Sequence, residues 1–579
     1  MSLLNKSTLT SRDSVTNTTE PVRSSRPVTH KWLGSLSATQ LVLLVSCYFF
    51  FVLNIALIAK LAGIIGKLDD VKLGFVISLP LFFIAALNII FNIFTLFRIE
   101  KWVLIPLVAI SSLLSYAMYN YGIIVDQDML ANVIETNPGE AKSYFNANMI
   151  IWFFVMGAVP AYFIMKVNVK RSSAVRDVGH KLIAITLSLL VIGAIAGLYY
   201  KDYASVGRNN AYLKKMIIPT DFLYSSFRFT QSNLLTPPKF QILGEDAVVK
   251  IDASAHKKQV MVILLGETAR AANFQYAGYE RDTNAFTQPL DVTYFEQMSS
   301  CGTATAVSVP CMFSRMTRQE FSKSAARNED NLLDVVQRAG IKTVWLENDG
   351  GCKGVCSRVE TIEFDPKSDH PACDGDYCKD QILLDGLDAQ LANLTESHNL
   401  IVLHMVGSHG PTYYRRYPAE FAHFQPVCQR SDIQNCDASQ LVNTYDNTLY
   451  YTDYIISQVI GKLNQREDLD AGVVYISDHG ESLGELGFYL HGVPYLLAPK
   501  EQTQVPMLTW FSDSFIAKKK LDKHCLAEKA KYEEFSHDNL FDSLLGLLDV
   551  STHIYQPQLD VFNSCRQGPA NYSRRVATK

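Results

Sequence analysis

Five long runs without a charged residue crowd the first third of this 579-residue chain, at residues 41–59, 73–97, 102–125, 145–165 and 182–200. A helix needs about 20 apolar residues to cross some 30 Å of hydrocarbon, and five such runs in succession are not a cleavable signal peptide. One run alone reads equally well as a buried helix of a soluble domain; the set reads as an all-α membrane domain of five helices, because in lipid a helix satisfies its own backbone. The runs also explain a charged fraction of 19% beside an ordinary hydrophobic fraction of 48%. With 53 Lys and Arg against 57 Asp and Glu, a highly basic nucleic-acid binder is excluded.

Charge flanks set the orientation. Lys6, Arg12, Arg23, Arg26 and Lys31 precede the first run, Arg98 and Lys101 lie between the second and third, and Lys166, Lys170, Arg171, Arg176 and Lys181 lie between the fourth and fifth. The segment 126–144 instead holds Asp126, Asp128, Glu135 and Glu140 against a single Lys142. The positive-inside rule then places the N-terminus in the cytoplasm and, after an odd number of crossings, everything beyond Tyr200 outside. The expected division is an unstructured cytoplasmic leader at 1–31, a membrane domain at 32–200, a linking segment at 201–258 and a second domain at 259–579.

Cysteine placement tests this orientation without hydropathy. Cys47 lies in a membrane run, whereas Cys301, Cys311, Cys352, Cys356, Cys373, Cys378, Cys428, Cys436, Cys525 and Cys565 all follow Tyr200. An even set in short local pairs reads as disulfides in an oxidising compartment. A zinc cluster is the weaker reading, since the gaps are irregular and no CxxC pair occurs. Sequence-local pairing joins 301 with 311, 352 with 356, 373 with 378, 428 with 436, and 525 with 565.

From Gln259 onward short β-branched apolar runs recur at 260–265, 341–346, 400–405, 472–476 and 505–510, separated by helix-like stretches such as 329–338, 378–394 and 441–463. This alternation predicts an α/β sheet covered by helices. Polar residues gather where the strands stop: Glu267 after one, His409 after another, Asp478 and His479 after a third, with His491 shortly beyond. Ligands of open α/β sheets bind outside the carboxyl ends of the strands, so these residues are expected on one rim. Singly, Glu267 is a helix-start carboxylate, His409 a loop histidine and Asp478–His479 a capped turn; together they form a site. A carboxylate, an aspartate and an imidazole suit Zn²⁺ and leave a position for an attacking group.

That group is sought in residues 299–311, where small residues, serines and threonines lie between two cysteines. If Thr305 opens a helix there, the amides around it suit a phosphoryl group. A metal beside the hydroxyl lowers its pKa and makes it a useful nucleophile. The bland reading is a capped Ser/Thr turn.

The strings "GETARAANFQYAGYERDTNAF", "SSCGTATAVSVPCMFS", "ENDGGCKGVCSRV", "HMVGSHGPTYYRRYPAEFAHFQPVC", "YDNTLYYTDYII" and "SDHGESLGELGFYLHGVPYLLAPKEQTQVP" resemble the membrane phosphoethanolamine transferases of Gram-negative bacteria, the group of the lipid A enzymes and the mobile colistin-resistance enzymes. The resemblance implies five transmembrane helices and a periplasmic domain of alkaline-phosphatase and sulfatase type, in the inner membrane. Carried over residue by residue, it implies Glu267, Thr305, Asp478 and His479 as zinc ligands, with Thr305 also the nucleophile. His409 and His491 match histidines that handle the phosphate or hold a second zinc. Asp349 and Lys353 match substrate-headgroup positions, and Asp349 stands where some relatives carry an amide. The implied reaction is ping-pong: Thr305 takes phosphoethanolamine from phosphatidylethanolamine, diacylglycerol leaves, and the acceptor receives the group. Lipid A is the expected acceptor, with a lipopolysaccharide core sugar or a periplasmic glucan as alternatives, and a monomer in the lipid bilayer is expected.

Four other readings fare worse. A sulfatase needs a Cys or Ser nucleophile in a C/S-x-P-x-R pattern, and Ala306, Val307 and Ser308 follow Thr305. A phosphoglycerol transferase shares the topology but not the disulfide-dense loops. A hydrolase using water fits only as a side activity. A catalytically dead membrane sensor predicts loss of one of Glu267, Thr305, Asp478 or His479, and all are present.

Overall fold

A computed structural model describes residues 35–67, 71–136, 138–231, 239–250 and 256–566. The leader at 1–31 lies outside the described residues. In the membrane domain, α3 (Leu73–Phe94), α4 (Glu100–Tyr121), α7 (Ala147–Lys166) and α8 (Ala174–Asn209) are each long and apolar enough to cross a bilayer. α3 and α4 bury part of their length in the helix bundle, while α7 and α8 turn most of their side chains outward where lipid would be, with Leu187, Leu190 and Leu198 of α8 58%, 64% and 73% exposed. Apolar atoms left outside a protein core in this number mark a lipid-facing surface.

The first apolar run departs from the expectation of one continuous helix. It is a pair, α1 (Ala38–Leu53) and α2 (Ile55–Ile65), bent by 64°. Asn54 is the cause. Its buried side chain donates to the carbonyls of Phe49 at 2.9 Å and Ile218 at 2.8 Å, and accepts from the Ile218 amide at 2.8 Å. A side chain that serves backbone groups inside and outside its own helix marks a kink rather than a straight span. The fifth helix differs at its end: α8 continues beyond Tyr200 to Asn209, with non-helical torsions at Tyr199.

The segment 126–144 folds into α5 (Gln127–Glu135) and α6 (Pro138–Ser143), both seated on the second domain. Glu135 pairs with Lys323 at 2.8 Å and also with Arg327, and Lys142 meets Asp376 at 2.9 Å. Lys215, in the linking segment, binds Asp126 at 2.8 Å.

The second domain is built on seven strands: β1 (Lys258–Gly266), β2 (Thr293–Phe295), β3 (Lys342–Glu347), β4 (Glu360–Glu363), β5 (His398–His404), β6 (Leu469–Ser477) and β7 (Met507–Phe511). Their order across the sheet is β2-β7-β6-β1-β5-β3-β4. The pairs from β6 through β4 are parallel, while β7 runs antiparallel to β6 and β2. β1 shows why such strands read as unbroken apolar runs. Val260, Val262 and Leu264 enter the core under α13 (Ala438–Asn464), while Met261, Ile263 and Leu265 enter the core containing α11 (Leu332–Arg338) and α14 (Leu540–Leu547). Period-two alternation with both faces buried leaves no polar face. All ten cysteines beyond Tyr200 form the five sequence-local disulfides, and Cys47 is the free thiol.

Candidate active site

Four adjacent parallel strands end at one rim. β1 runs into Glu267, β6 into Asp478 and His479, β5 ends at His404 with His409 five residues on, and β3 ends two residues before Asp349. Glu267, Asp478 and His479 are fully buried and each places a ligand atom within 4.8 Å of the others. The His479 Nδ1–H donates to the Gly480 carbonyl at 2.8 Å, since a carbonyl only accepts, so Nε2 turns its lone pair to the cluster. Burial and the neighbouring charges of Asp478 and Asp349 push the Glu267 carboxyl well above the usual range, and burial lowers His479 to about 4. An Asp478 Oδ2 with no hydrogen-bond partner completes the set. Two desolvated carboxylates and a neutral imidazole converging this way fit a divalent cation.

Thr305 stands at the first turn of α10 (Thr305–Met312), following extended Ala304. Its Oγ1 is 3.2 Å from Glu267 Oε2 and 3.3 Å from His479 Nε2. The neighbouring hydroxyls are spoken for: Thr303 donates to the Val493 carbonyl at 2.7 Å and Ser308 to the Asp478 carbonyl. Of the three, Thr305 is the one placed against the cluster.

His409 and His491 flank this centre. His409 Nε2 is 4.0 Å from Glu267, and the His491 ring lies 4.5 Å from that of His479 and 5.8 Å from that of His409. His491 Nδ1–H donates to Glu481 at 3.0 Å, and Tyr413 donates to the other oxygen of Glu481. Lys353 sits in the turn closed by Cys352–Cys356, with φ 52°, and its charge draws the Glu267 and Asp349 carboxyls back down. Asp349 is nonetheless raised to about 6, chiefly by burial.

The structure adds residues that the sequence reading missed. His404 donates from Nδ1 to Glu347 at 2.8 Å, and its Nε2 is 3.8 Å from Asp349. Burial works against both charges, yet His404 holds Glu347 down at about 2 and Glu347 pushes His404 up. Glu267, Asp349 and His404 make a second group able to hold a metal ion. An imidazole oriented by a carboxylate at its other nitrogen is the usual support of a metal-binding histidine. His404 ends the same strand that leads to His409, which was the available signal. Asn132 of α5 left no such trace: its Oδ1 accepts from the Ala306 amide at 3.4 Å, so the membrane domain touches the helix of Thr305.

With this geometry in hand, the comparisons with known proteins agree. Residues 83–234 match the family described as phosphoethanolamine transferase EptA/EptB, and residues 259–550 match the sulfatase family. Phosphoethanolamine transferase EptA of Escherichia coli K12 is 38% identical over 92% of this chain and 98% of its own length. Phosphatidylethanolamine transferase Mcr-1 of Escherichia coli is 33% identical over 89% of this chain and 96% of its own. The solved structure of the integral membrane lipooligosaccharide phosphoethanolamine transferase A from Neisseria meningitidis superposes with a TM-score of 0.88 at 36% identity, covering 92% of this chain and all of that one. The chain therefore belongs to the membrane phosphoethanolamine transferase family, with a multi-pass membrane domain and a catalytic domain of sulfatase type.

Proposed function

We propose that this protein transfers phosphoethanolamine from phosphatidylethanolamine to lipid A in the bacterial envelope, through a covalent intermediate on Thr305. The observation that carries the reading is the hydroxyl of Thr305, 3.2 Å from Glu267 and 3.3 Å from His479 at a helix start. Glu267, Asp478, His479 and Thr305 are the residues that would hold zinc, and Glu267, Asp349 and His404 offer a place for a second ion. Bound there, zinc supplies positive charge against the phosphoryl oxygens and strengthens the acidity of the neighbouring hydroxyl.

The chain's own groups do the rest. Glu267 accepts the Thr305 hydrogen bond, orients Oγ1 for in-line attack on the donor phosphorus and takes the hydroxyl proton as the new bond forms. The bond to the diacylglycerol oxygen breaks, and His409 or His491 delivers the proton that oxygen needs. A phosphate oxygen of the acceptor then displaces Thr305, whose Oγ1 regains its proton from Glu267. Lys353 offsets charge on the nonbridging oxygens, and Asp349, when it holds no second ion, meets the ammonium headgroup. Glu481 holds His491 in one orientation.

The catalytic domain works in the periplasm, where its disulfides form, and the charge flanks support a cytoplasmic N-terminus. The same reading divides the chain at residues 31, 200 and 258 into leader, membrane domain, link and catalytic domain. Incubation with phosphatidylethanolamine and no acceptor tests the mechanism. One phosphoethanolamine is expected on the peptide spanning Cys301 to Cys311, absent in Thr305→Ala; an adduct that persists in that variant rejects the assignment.

A further inference from the structure

His537 belongs to none of the groups above, yet it is buried directly behind them. It is 1% exposed and lies in the turn that leads into α14. Its Nε2 is 3.0 Å from the carbonyl of Ser477, the last residue of β6 before Asp478. A carbonyl only accepts, so Nε2 carries the hydrogen and Nδ1 presents a lone pair. That lone pair receives the backbone amide of Cys301 at 3.1 Å. One imidazole thus bridges the loop that leads to Thr305 and the strand that leads to Asp478 and His479.

A second link runs beside it. Ser308, one turn after Thr305 on α10, donates to the carbonyl of Asp478 and lies 3.3 Å from His537 Nδ1. The consecutive carbonyls of Ser477 and Asp478 are therefore each tied to the Thr305 region, the first through His537 and the second through Ser308. Ser308 and Ser477 are 0% exposed, so water does not compete for these bonds.

We infer that His537 and Ser308 form a clasp that fixes the distance between the Thr305 hydroxyl and the Glu267–Asp478–His479 cluster, making both of them positioning residues for the transfer step. The inference rests on Thr305 being the nucleophile. Neither residue touches substrate; each acts by holding backbone. The requirement is specific: position 537 must offer a donor and an acceptor a short distance apart. A glutamine amide also offers both, whereas leucine fills similar space and offers neither.

The test uses the full-length chain in phosphatidylethanolamine-containing nanodiscs, with three readouts: zinc per chain, KM for the donor, and the single-turnover rate of adduct formation on the peptide from Cys301 to Cys311. In His537→Leu the adduct rate is expected to fall about 100-fold, the scale of a misplacement near 1 Å, while KM stays within about twofold. Zinc content is expected to hold, because the ligands are intact. His537→Gln is expected to recover most of the lost rate, and Ser308→Ala to lose about tenfold by the same reasoning. A rate in His537→Leu equal to that of the unaltered chain, or a His537→Gln that falls as far as His537→Leu, overturns the clasp. So does a loss that tracks zinc content one for one. If His537→Leu does not fold, Ser308→Ala, which removes a single oxygen, decides: an unchanged rate there overturns the proposal. Thr305→Ala run in parallel separates the two ideas. An adduct surviving there overturns the nucleophile assignment, whereas an adduct lost there but unaffected in His537→Leu overturns the clasp alone.

Discussion

Buried charge is handled in opposite ways in the two halves of this molecule. In the membrane domain Glu100 is 0% exposed and Lys181 1% exposed, and they pair at 2.8 Å, with Arg171 on the other Glu100 oxygen at 2.9 Å. Arg98 likewise binds Asp177 at 2.6 Å. At the rim of the catalytic sheet, Glu267 and Asp478 approach one another instead, and their mutual repulsion adds to burial in raising Glu267. The contrast separates structure from function. A desolvated carboxylate with a lysine at hydrogen-bond distance is neutralised by its own chain, and its job is to hold helices together. Carboxylates gathered against each other fit a cation supplied from outside.

The largest effects should come from removing members of the second kind. Asp478→Ala is expected to lose zinc together with the Thr305 adduct, and transfer should drop on the order of 10³-fold or more. Chelation of the unaltered protein should lower the unfolding temperature of the catalytic domain, because a bound ion stabilises the state that binds it, by about 4 kcal/mol at a thousandfold excess over Kd. Scanning calorimetry with and without chelator reads this. Equal stability in the two conditions would break the comparison at its functional end.

The structural end is tested at Lys181. Lys181→Met leaves Glu100 buried beside a single partner, and breaking a buried pair in this way costs about 3–5 kcal/mol. Adding Glu100→Gln removes the carboxylate left with Arg171 alone and should recover part of the loss. Both variants should retain zinc. Thermal unfolding in detergent measures the stabilities, and a double variant no better than the single one would mean that the pair is not acting as a pair.

The same contrast explains what the sequence disclosed. The apolar runs, the strands and the polar residues at strand ends were legible because each repeats a local physical rule: length for a membrane helix, β-branched runs for buried strands, polar side chains at carboxyl ends. The local cysteine pairs were legible for the same reason. Asn54 was not, since one amide in an apolar run looks harmless until its partner, the backbone of Ile218 far along the chain, is known. The edge strands β2 and β4, of three and four residues, are too short to show periodicity. His404 lay inside a run read as strand core and Glu347 one residue past another, and only the fold reveals that they face each other. Thr305 was legible as a helix start, but not the clasp behind it, because His537 is separated from both bonded segments by at least 60 residues.

A pH effect of intermediate size sharpens the comparison from the catalytic side. Burial lowers His537 to about 4 from an ordinary 6.5, so the folded protein keeps it neutral where the unfolded chain takes up a proton. Between about pH 6.5 and 4 the unfolded state therefore binds more protons, and stability falls as pH falls through that window, by up to roughly 3 kcal/mol. His479 carries the same sign, so the contribution of His537 is the difference between the unaltered chain and His537→Gln. Denaturation midpoints from pH 7 down to 4.5 should fall less steeply in the variant; parallel slopes would show that His537 titrates alike in both states.

The smallest effect expected lies where the two halves meet. Gly122 closes α4 in the left-handed region, φ 75°, and a Cβ there would lie 2.3 Å from Cδ1 of Phe488. Phe488 belongs to the hairpin turn of the catalytic domain that precedes His491, and Lys60 of α2 stands over its ring at 5.5 Å. This ring in a glycine notch forms an apolar plug between the catalytic rim and the membrane domain, whereas the exposed Lys142–Asp376 bridge contributes at most about 1 kcal/mol. Gly122→Ala carries two penalties: the collision, and about 1 kcal/mol of left-handed backbone strain. Phe488→Ala in the same chain removes the collision alone, so the double variant isolates the strain. If the plug aligns the site with the bilayer, Gly122→Ala should slow transfer from membrane-embedded donor about tenfold, or about 1.4 kcal/mol, while leaving zinc content and the reaction of a water-soluble short-chain donor unchanged. Equal losses with both donors would show that the disturbance reaches the catalytic rim itself, and that the two halves are coupled through the site rather than through its seating.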